Sequence, residues 1–333
     1  MNQRIARHGV ALLVCVVLLL GALPAGAFAA ERGPLAAAVT YQGTVLTGMA
    51  ESELRTHFAA NTAVPDFGTV TVAAAHRSYT FDARQAVAVD IDKMVAAAYS
   101  ATSTVTPTEV PAFYKTRGTV VSGWVASIAS KVNRSSRNAW WLRDGHRMSA
   151  VPSVNGRRVN RDTTVTRVRS AIAAQFGSPG EQIATVTASV STLTPAITRR
   201  NLGKAIVVDL SERKVYLWRV SGLEKTYRCA IGMSAYPTPR GSFKIIAKAK
   251  YPTWRNPGSD WATSMPAYIA PGPNNPLGLR ALYLNAPGIR IHGTSNYASI
   301  GTAASHGCMR LKNPDVVDIY PRVPVGTPVR IIK

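Results

Sequence analysis

The sequence predicts a multidomain protein, with two α+β modules over residues 35–105 and 112–200 followed by a mainly β domain of sandwich type over 203–333. Three observations carry this. Short β-branched and aromatic runs punctuated by Gly and Pro fill the stretch after residue 203, the pattern of a sandwich or barrel. Before residue 200, strand-like runs alternate with apolar stripes at helical spacing. At 333 residues the chain is also longer than one hydrophobic core usually organises.

The elements follow in order. Arg4 and Arg7 precede an apolar run of 14 residues, Val10 to Leu23, and then the small residues around Ala25 to Ala30. A basic, an apolar and a small-residue region in that order make a secretory signal peptide over residues 1–30. The run falls short of the roughly 20 residues that span a bilayer, and Pro24 closes it, although an uncleaved anchor stays open. The chain is therefore expected to be exported. In the first module, Gly68 to Val72 and Ser78 to Phe81 read as strands, Glu51 to Ala59 and Asp90 to Tyr99 as helices, and the Thr/Ser/Pro-rich Ala101 to Pro111 as a linker. In the second, Trp124, Ile128 and Val132 recur at helical spacing, as do Val165, Val168, Ile172 and Phe176. Such stripes face a core.

In the third domain, Ala205 to Leu210 and Val215 to Val220 flank the turn residues Ser211 to Lys214 and predict a hairpin. Thr226 to Ile231, Phe243 to Lys248, Ala281 to Leu284, Ile289 to Ile291 and Pro328 to Ile332 read as further strands. Asn313 as cap, Pro314 at the first position and Asp315 in the first turn predict a helix over Pro314 to Tyr320. Between Lys250 and Arg280, six prolines and several bulky aromatics share no period. A long irregular loop of that composition is expected to wall a groove.

The chemistry is concentrated in Ser305-His306-Gly307-Cys308-Met309-Arg310, with His292-Gly293 upstream. A free thiol is mostly protonated at neutral pH, so a nucleophilic cysteine needs a partner that takes its proton, and histidine is suited to it. Gly307 can adopt positive φ, turning the backbone so that the N–H groups of Gly307 and Cys308 converge as an oxyanion hole. Two other readings of these residues stand beside the nucleophile: a buried core cysteine, and a zinc site built from Cys308, His306 and His292. Neither a CxxC nor an HxxxH pair accompanies the latter, and no metal is expected.

At these residues the chain resembles the L,D-transpeptidases, the family with a YkuD-type catalytic domain. The matching blocks are Ile289 to Thr294, Ser305 to Leu311, Gly232 with Thr238-Pro239-Arg240-Gly241-Ser242-Phe243, and Asn275 to Gly278 with Ala281 to Leu284. The resemblance covers about Lys204 to Lys333. It implies a YkuD-like β-sandwich, Cys308 as nucleophile and His292 as its base. It implies also that the substrates are peptidoglycan stem peptides, as donor and acceptor, joined by 3→3 cross-links without any cofactor. Ser305, His306 and Gly307 are expected to support the loop, and Arg310, Tyr283, Gly293 and Thr294 to contact substrate. Where many members carry asparagine two residues after the cysteine, this chain has Arg310. Residues Tyr41 to Pro195 resemble the peptidoglycan-binding modules found before some such domains. Two alternatives stay open: an L,D-carboxypeptidase using the same residues with water as acceptor, and a non-catalytic wall-binding protein.

Charge and cysteine usage bound the partners. The formal net charge of +22 attracts polyanions, and arginines from Arg134 to Arg161 concentrate it in the second module. Export removes the chain from nucleic acid, so anionic cell-wall polymers are the expected polyanionic partners, at the wall or the outer face of the membrane. With Cys15 in the signal, Cys229 and Cys308 remain, and a disulfide between them would consume the nucleophile.

Overall fold

The computed structural model describes residues 31–180, 183 and 185–333; the expected signal peptide lies outside the described residues. The chain divides into two compact units that are not contiguous in sequence. The first holds residues up to Ala73, Ser78–Trp124 and Val165–Thr187, and the second holds Ala74–Arg77, Val125–Thr164 and Ala188–Lys333.

The first unit is α+β. Val39–Tyr41 pairs antiparallel with Thr44–Val45 and parallel with Thr108–Glu109. Helices Glu51–Asn61 and Ile91–Ser100 close on this sheet through Leu54, Phe58, Met94, Val95 and Ala98. The Thr/Ser/Pro-rich stretch expected as a linker therefore contributes a strand, and Val110 beside it is buried in the same core. Its polar composition reflects an edge strand whose side chains are exposed. The expected strands near residues 68–81 are Thr69–Ala74 and Arg77–Asp82, neighbours in one sheet, of which residues 69–73 and 78–82 belong to this unit.

The second unit is built on one eight-stranded sheet. Its strands are β1 (Ala205–Asp209), β2 (Lys214–Arg219), β3 (Gly222–Arg228), β4 (Gly241–Lys250), β5 (Arg280–Leu284), β6 (Arg290–Thr294), β7 (Met309–Lys312) and β8 (Pro328–Ile332). Their spatial order is β3-β2-β1-β8-β4-β5-β6-β7. Strand β4 links the two halves: Gly241–Lys244 pairs with β8, and beyond an irregularity at Ile245 and Ala247 the strand pairs with β5. Such an irregularity bends a strand and lets the sheet wrap. Ile206, Val208, Val215 and Leu217 from one half meet Ile245, Leu282, Ile291, Met309 and Leu311 from the other in a single core. Each such side chain contributes about 1.5–3 kcal/mol when fully buried. The outer face of β1 and β2 is covered within the same unit by the hairpin Trp140–Asp144 and Arg147–Val151, with Trp141 and Met148 against Ala205, Val207, Tyr216 and Trp218.

Helix α1 (Asn313–Arg322) follows β7 and buries Val316 and Ile319 against the core. Its start differs from the expected capping. Lys312 occupies the cap position, while Asn313 turns its Oδ1 away from the helix to accept the Leu279 N–H at 3.0 Å. A tertiary donor thus displaces the local capping bond. The far side of α1 is tied to β3, where Asp318 accepts from Tyr227 Oη at 2.7 Å and Lys225 Nζ at 2.9 Å, and Arg322 bridges Asp318 and Glu224.

Candidate active site

Strands β6 and β7 run parallel with His292 opposite Arg310 and Ile291 opposite Met309. Successive side chains of a strand face opposite ways, so Ile291, Met309 and Leu311 enter the core while Arg290, His292 and Arg310 share the other face. That face, with Cys308 at the head of β7, lines a cavity of about 440 Å³.

The cysteine loop is held from beneath. Ser305 Oγ donates to the Cys308 carbonyl at 2.6 Å, closing the turn, and the Ser305 carbonyl accepts from Met233 N–H at 2.9 Å. Gly307 has φ +101°, and a Cβ there would meet Ile289 Cδ1 at 3.2 Å, so the turn favours glycine on both counts. Gly232 takes part from the neighbouring turn, its N–H donating to Thr238 Oγ1 at 2.8 Å. The expected loop residues are thus brought together around Cys308.

Cys308 Sγ donates to the Gly288 carbonyl at 3.2 Å. Burial holds its thiol above the ordinary range, opposed by the Arg290 charge and a backbone hydrogen bond from Arg290, and then by the Arg310 charge. His292 is 4% exposed, and its Nδ1 lies 2.7 Å from the Gly293 carbonyl. A carbonyl can only accept, so Nδ1 carries the proton and Nε2 keeps its lone pair. Burial pushes the imidazole down to about 3, against backbone hydrogen bonds to Gly293 and, more weakly, Leu277, and the charges of Arg310 and Arg290 act in the same direction as burial. At neutral pH the resting pair is therefore a thiol and a neutral imidazole. Among the described residues no acid bonds to His292; a backbone carbonyl orients it.

His306 lies flat on Trp261, with ring centroids 4.0 Å apart and planes at 9°, and the Tyr236 ring meets it edge-on at 4.9 Å. Burial and then the Arg310 charge hold its pKa below the ordinary value. Trp261 comes from the irregular stretch before β5, which forms one wall of the cavity with Trp254, Met265 and Leu277. Two buried or half-buried asparagines organise that wall. Asn275 donates to the carbonyls of Pro252 and Ile269, both at 2.9 Å, and Asn256 to those of Ala262 and Met265 at 2.8 and 3.0 Å.

Three residues expected to contact substrate do not line the cavity. Gly293 packs beneath the start of α1, where a Cβ would meet Asn313 Oδ1 at 2.4 Å, and it serves the site through its carbonyl. Thr294 is buried and accepts the Asn296 N–H at 3.1 Å. Tyr283 is the cross-strand partner of Arg290, whose guanidinium carbon lies 5.6 Å from its ring centroid. Arg310, by contrast, lines the cavity. Arg290 lines it too and was not expected from the sequence, although the alternation Arg290-Ile291-His292 places it on the histidine's face. No zinc set forms at the cysteine: among the described residues the one His/Cys/Asp/Glu cluster with metal-like spacing is His146, Asp209 and Glu212.

Residues 203–331 match the family model for the YkuD L,D-transpeptidase catalytic domain. A putative L,D-transpeptidase of Fuscovulum blasticum is 35% identical over 140 residues, covering 40% of this chain and 71% of its own length. The putative L,D-transpeptidase YkuD of Bacillus licheniformis is 34% identical over 155 residues, 46% of this chain and 81% of its own. The probable L,D-transpeptidase ErfK/SrfK of Escherichia coli is 36% identical over 137 residues, 39% of this chain and 44% of its own, so the chain spans under half of that relative.

Proposed function

This chain belongs to the L,D-transpeptidase family, and from that premise we propose that it cross-links peptidoglycan by acyl transfer through Cys308. One observation carries the reading: the partly exposed Cys308 thiol and the buried, neutral His292 imidazole line the same cavity. In the first step, His292 Nε2 takes the thiol proton as Sγ attacks the carbonyl at the L-centre of diaminopimelate in a stem tetrapeptide. A C–S bond forms, the C–N bond to the terminal D-residue breaks, and the proton passes to the departing amine. The N–H groups of Gly307 and Cys308 hold the oxyanion. In the second step an amine of a neighbouring stem attacks the thioester, gives its proton to His292, and the returning proton regenerates the thiol. The product is a 3→3 cross-link, and no metal or cofactor enters.

We also propose that the chain is exported by its signal peptide to the wall or the outer face of the membrane. Residues 35–105 and 112–200 would hold it on peptidoglycan, with their basic side chains favouring anionic wall polymers.

The deciding experiment incubates the mature protein and its Cys308→Ala variant with disaccharide-tetrapeptide and follows products by mass spectrometry. Dimer formed by the wild type alone is the expected result. Tripeptide without dimer would make the enzyme an L,D-carboxypeptidase, and no turnover by either protein would sink the enzymatic reading.

A further inference from the structure

We infer that Arg290 and Arg310 form a paired guanidinium site that selects donor stems by a free carboxylate, at the terminal D-residue or at the D-centre of diaminopimelate. This deepens the acyl-transfer reading and rests on it.

The placement comes from the strands. Arg290 and His292 stand two apart on β6, and Arg310 stands two beyond Cys308 and opposite His292. Thiol, imidazole and both guanidinium groups thus line one cavity, and no Asp or Glu is among the lining residues.

Among the described residues neither cation has a carboxylate partner: none lies within 4.0 Å of either guanidinium. Arg322 in the same unit is different, with Asp318 at 2.7 Å and Glu224 at 2.9 Å. Arg290 Nε is buried without a hydrogen-bond partner, and the Tyr283 ring fixes the group from one side. Burial draws the Arg310 pKa below its ordinary value, with the Cys308 charge acting in opposition. A buried donor without a partner, as at Arg290, and a charge drawn out of water, as at Arg310, are each costly unless something completes them. A carboxylate does so best, because its two oxygens match the planar fork.

A stem tetrapeptide offers two carboxylates to the site: that of the terminal D-residue, which adjoins the scissile amide, and that at the D-centre of diaminopimelate, at the far end of the carbon chain that carries the attacked carbonyl. Engagement of either would orient the carbonyl toward Cys308. Either way, a donor with that group amidated leaves the two half-buried guanidinium groups without that anion.

The test uses the full mature chain with three donors: the free tetrapeptide, its D-centre carboxamide, and its terminal D-alaninamide. For the wild type, kcat/KM for acylation should fall about 10- to 100-fold on amidating the carboxylate that is read, and little on amidating the other. Arg290→Gln should lose a similar factor on the free donor yet lose little more on the sensitive amide, with Arg290→Lys restoring part of the rate. Binding of the same donors to Cys308→Ala, by calorimetry, supplies a readout that needs no turnover. Equal use of all three donors by the wild type would overturn the inference and leave acyl transfer standing. Tighter binding of the free acid by Cys308→Ala, with no acylation by the wild type, would sink the acyl-transfer reading and leave the carboxylate site standing. Equal losses on every donor in Arg290→Gln would reduce Arg290 to a structural residue and overturn the pair.

Discussion

Cys229 and Cys308 border the same core, and burial moves both thiols in the same direction, yet their surroundings differ. Cys229 is fully enclosed by apolar neighbours, and burial pushes its thiol up to about 12. Cys308 stands at the edge of the core, open to the cavity, with a carbonyl acceptor, a neutral imidazole in the same wall and two cations whose charges lower its pKa. A thiol becomes reactive through what surrounds it. Burial alone makes it inert.

Alkylation gives the largest contrast. In the folded protein iodoacetamide should modify Cys308 on the order of a thousandfold faster than Cys229, whose reaction must wait for opening of the core. The Cys308 rate should climb with pH toward a midpoint above the ordinary thiol value, because burial raises it. Arg290→Gln should move that midpoint higher still, since the arginine's charge opposes burial. Peptide mapping after timed quenching reads both rates. Equal labelling of the two cysteines would erase the distinction.

The pH dependence of stability sharpens it further. His292 has its folded pKa pushed from 6.5 down to about 3, so the unfolded chain takes a proton in that window while the folded chain does not. Its contribution is whole above pH 6.5 and drains away as pH falls toward 3, at up to about 1.4 kcal/mol per pH unit. Denaturant melts at pH 7.5, 5.5 and 4.5 should show His292→Gln losing that part of the acid slope. A slope unchanged from wild type would mean that the imidazole is not held neutral.

Much of this was legible in sequence because it depends on local spacing. The hairpin of β1 and β2, strand β8 and the helix after the cysteine follow from alternation, turn residues and a proline at a helix start. Cys308 and His292 stood out in the sequence because few residue types can supply a nucleophile or a base, and the structure lines one cavity with both. Nonlocal partners were not. Nothing near Asn313 signals that its side chain serves Leu279 rather than its own helix, because the competing donor lies 34 residues upstream. Arg290 illustrates an intermediate case: its face was implied by alternation with His292, but that no acid among the described residues lies beside it appears only when the strands are assembled. The interleaving of the two compact units is likewise a property of long-range contacts, which no run of composition records.

The smallest effect tests the quieter thiol. Cys229 has both backbone groups engaged, its N–H with the Arg213 carbonyl at 2.8 Å and its carbonyl with the Gly301 N–H at 3.1 Å, so its side chain has no backbone task. Replacing Sγ by a hydroxyl changes little in volume but puts a stronger donor among Val215, Leu217 and Ile245. An unpaired buried hydroxyl costs about 1–3 kcal/mol, so Cys229→Ser should lower the unfolding free energy by that margin. The acid slope set by His292 should remain, because the substitution adds no group that titrates between pH 3 and 6.5. Acylation by Cys308 should persist at temperatures where the variant stays folded. Loss of acylation in a fully folded Cys229→Ser protein would show that the two thiols are coupled through the core, and the separation between an inert and a reactive cysteine would fail.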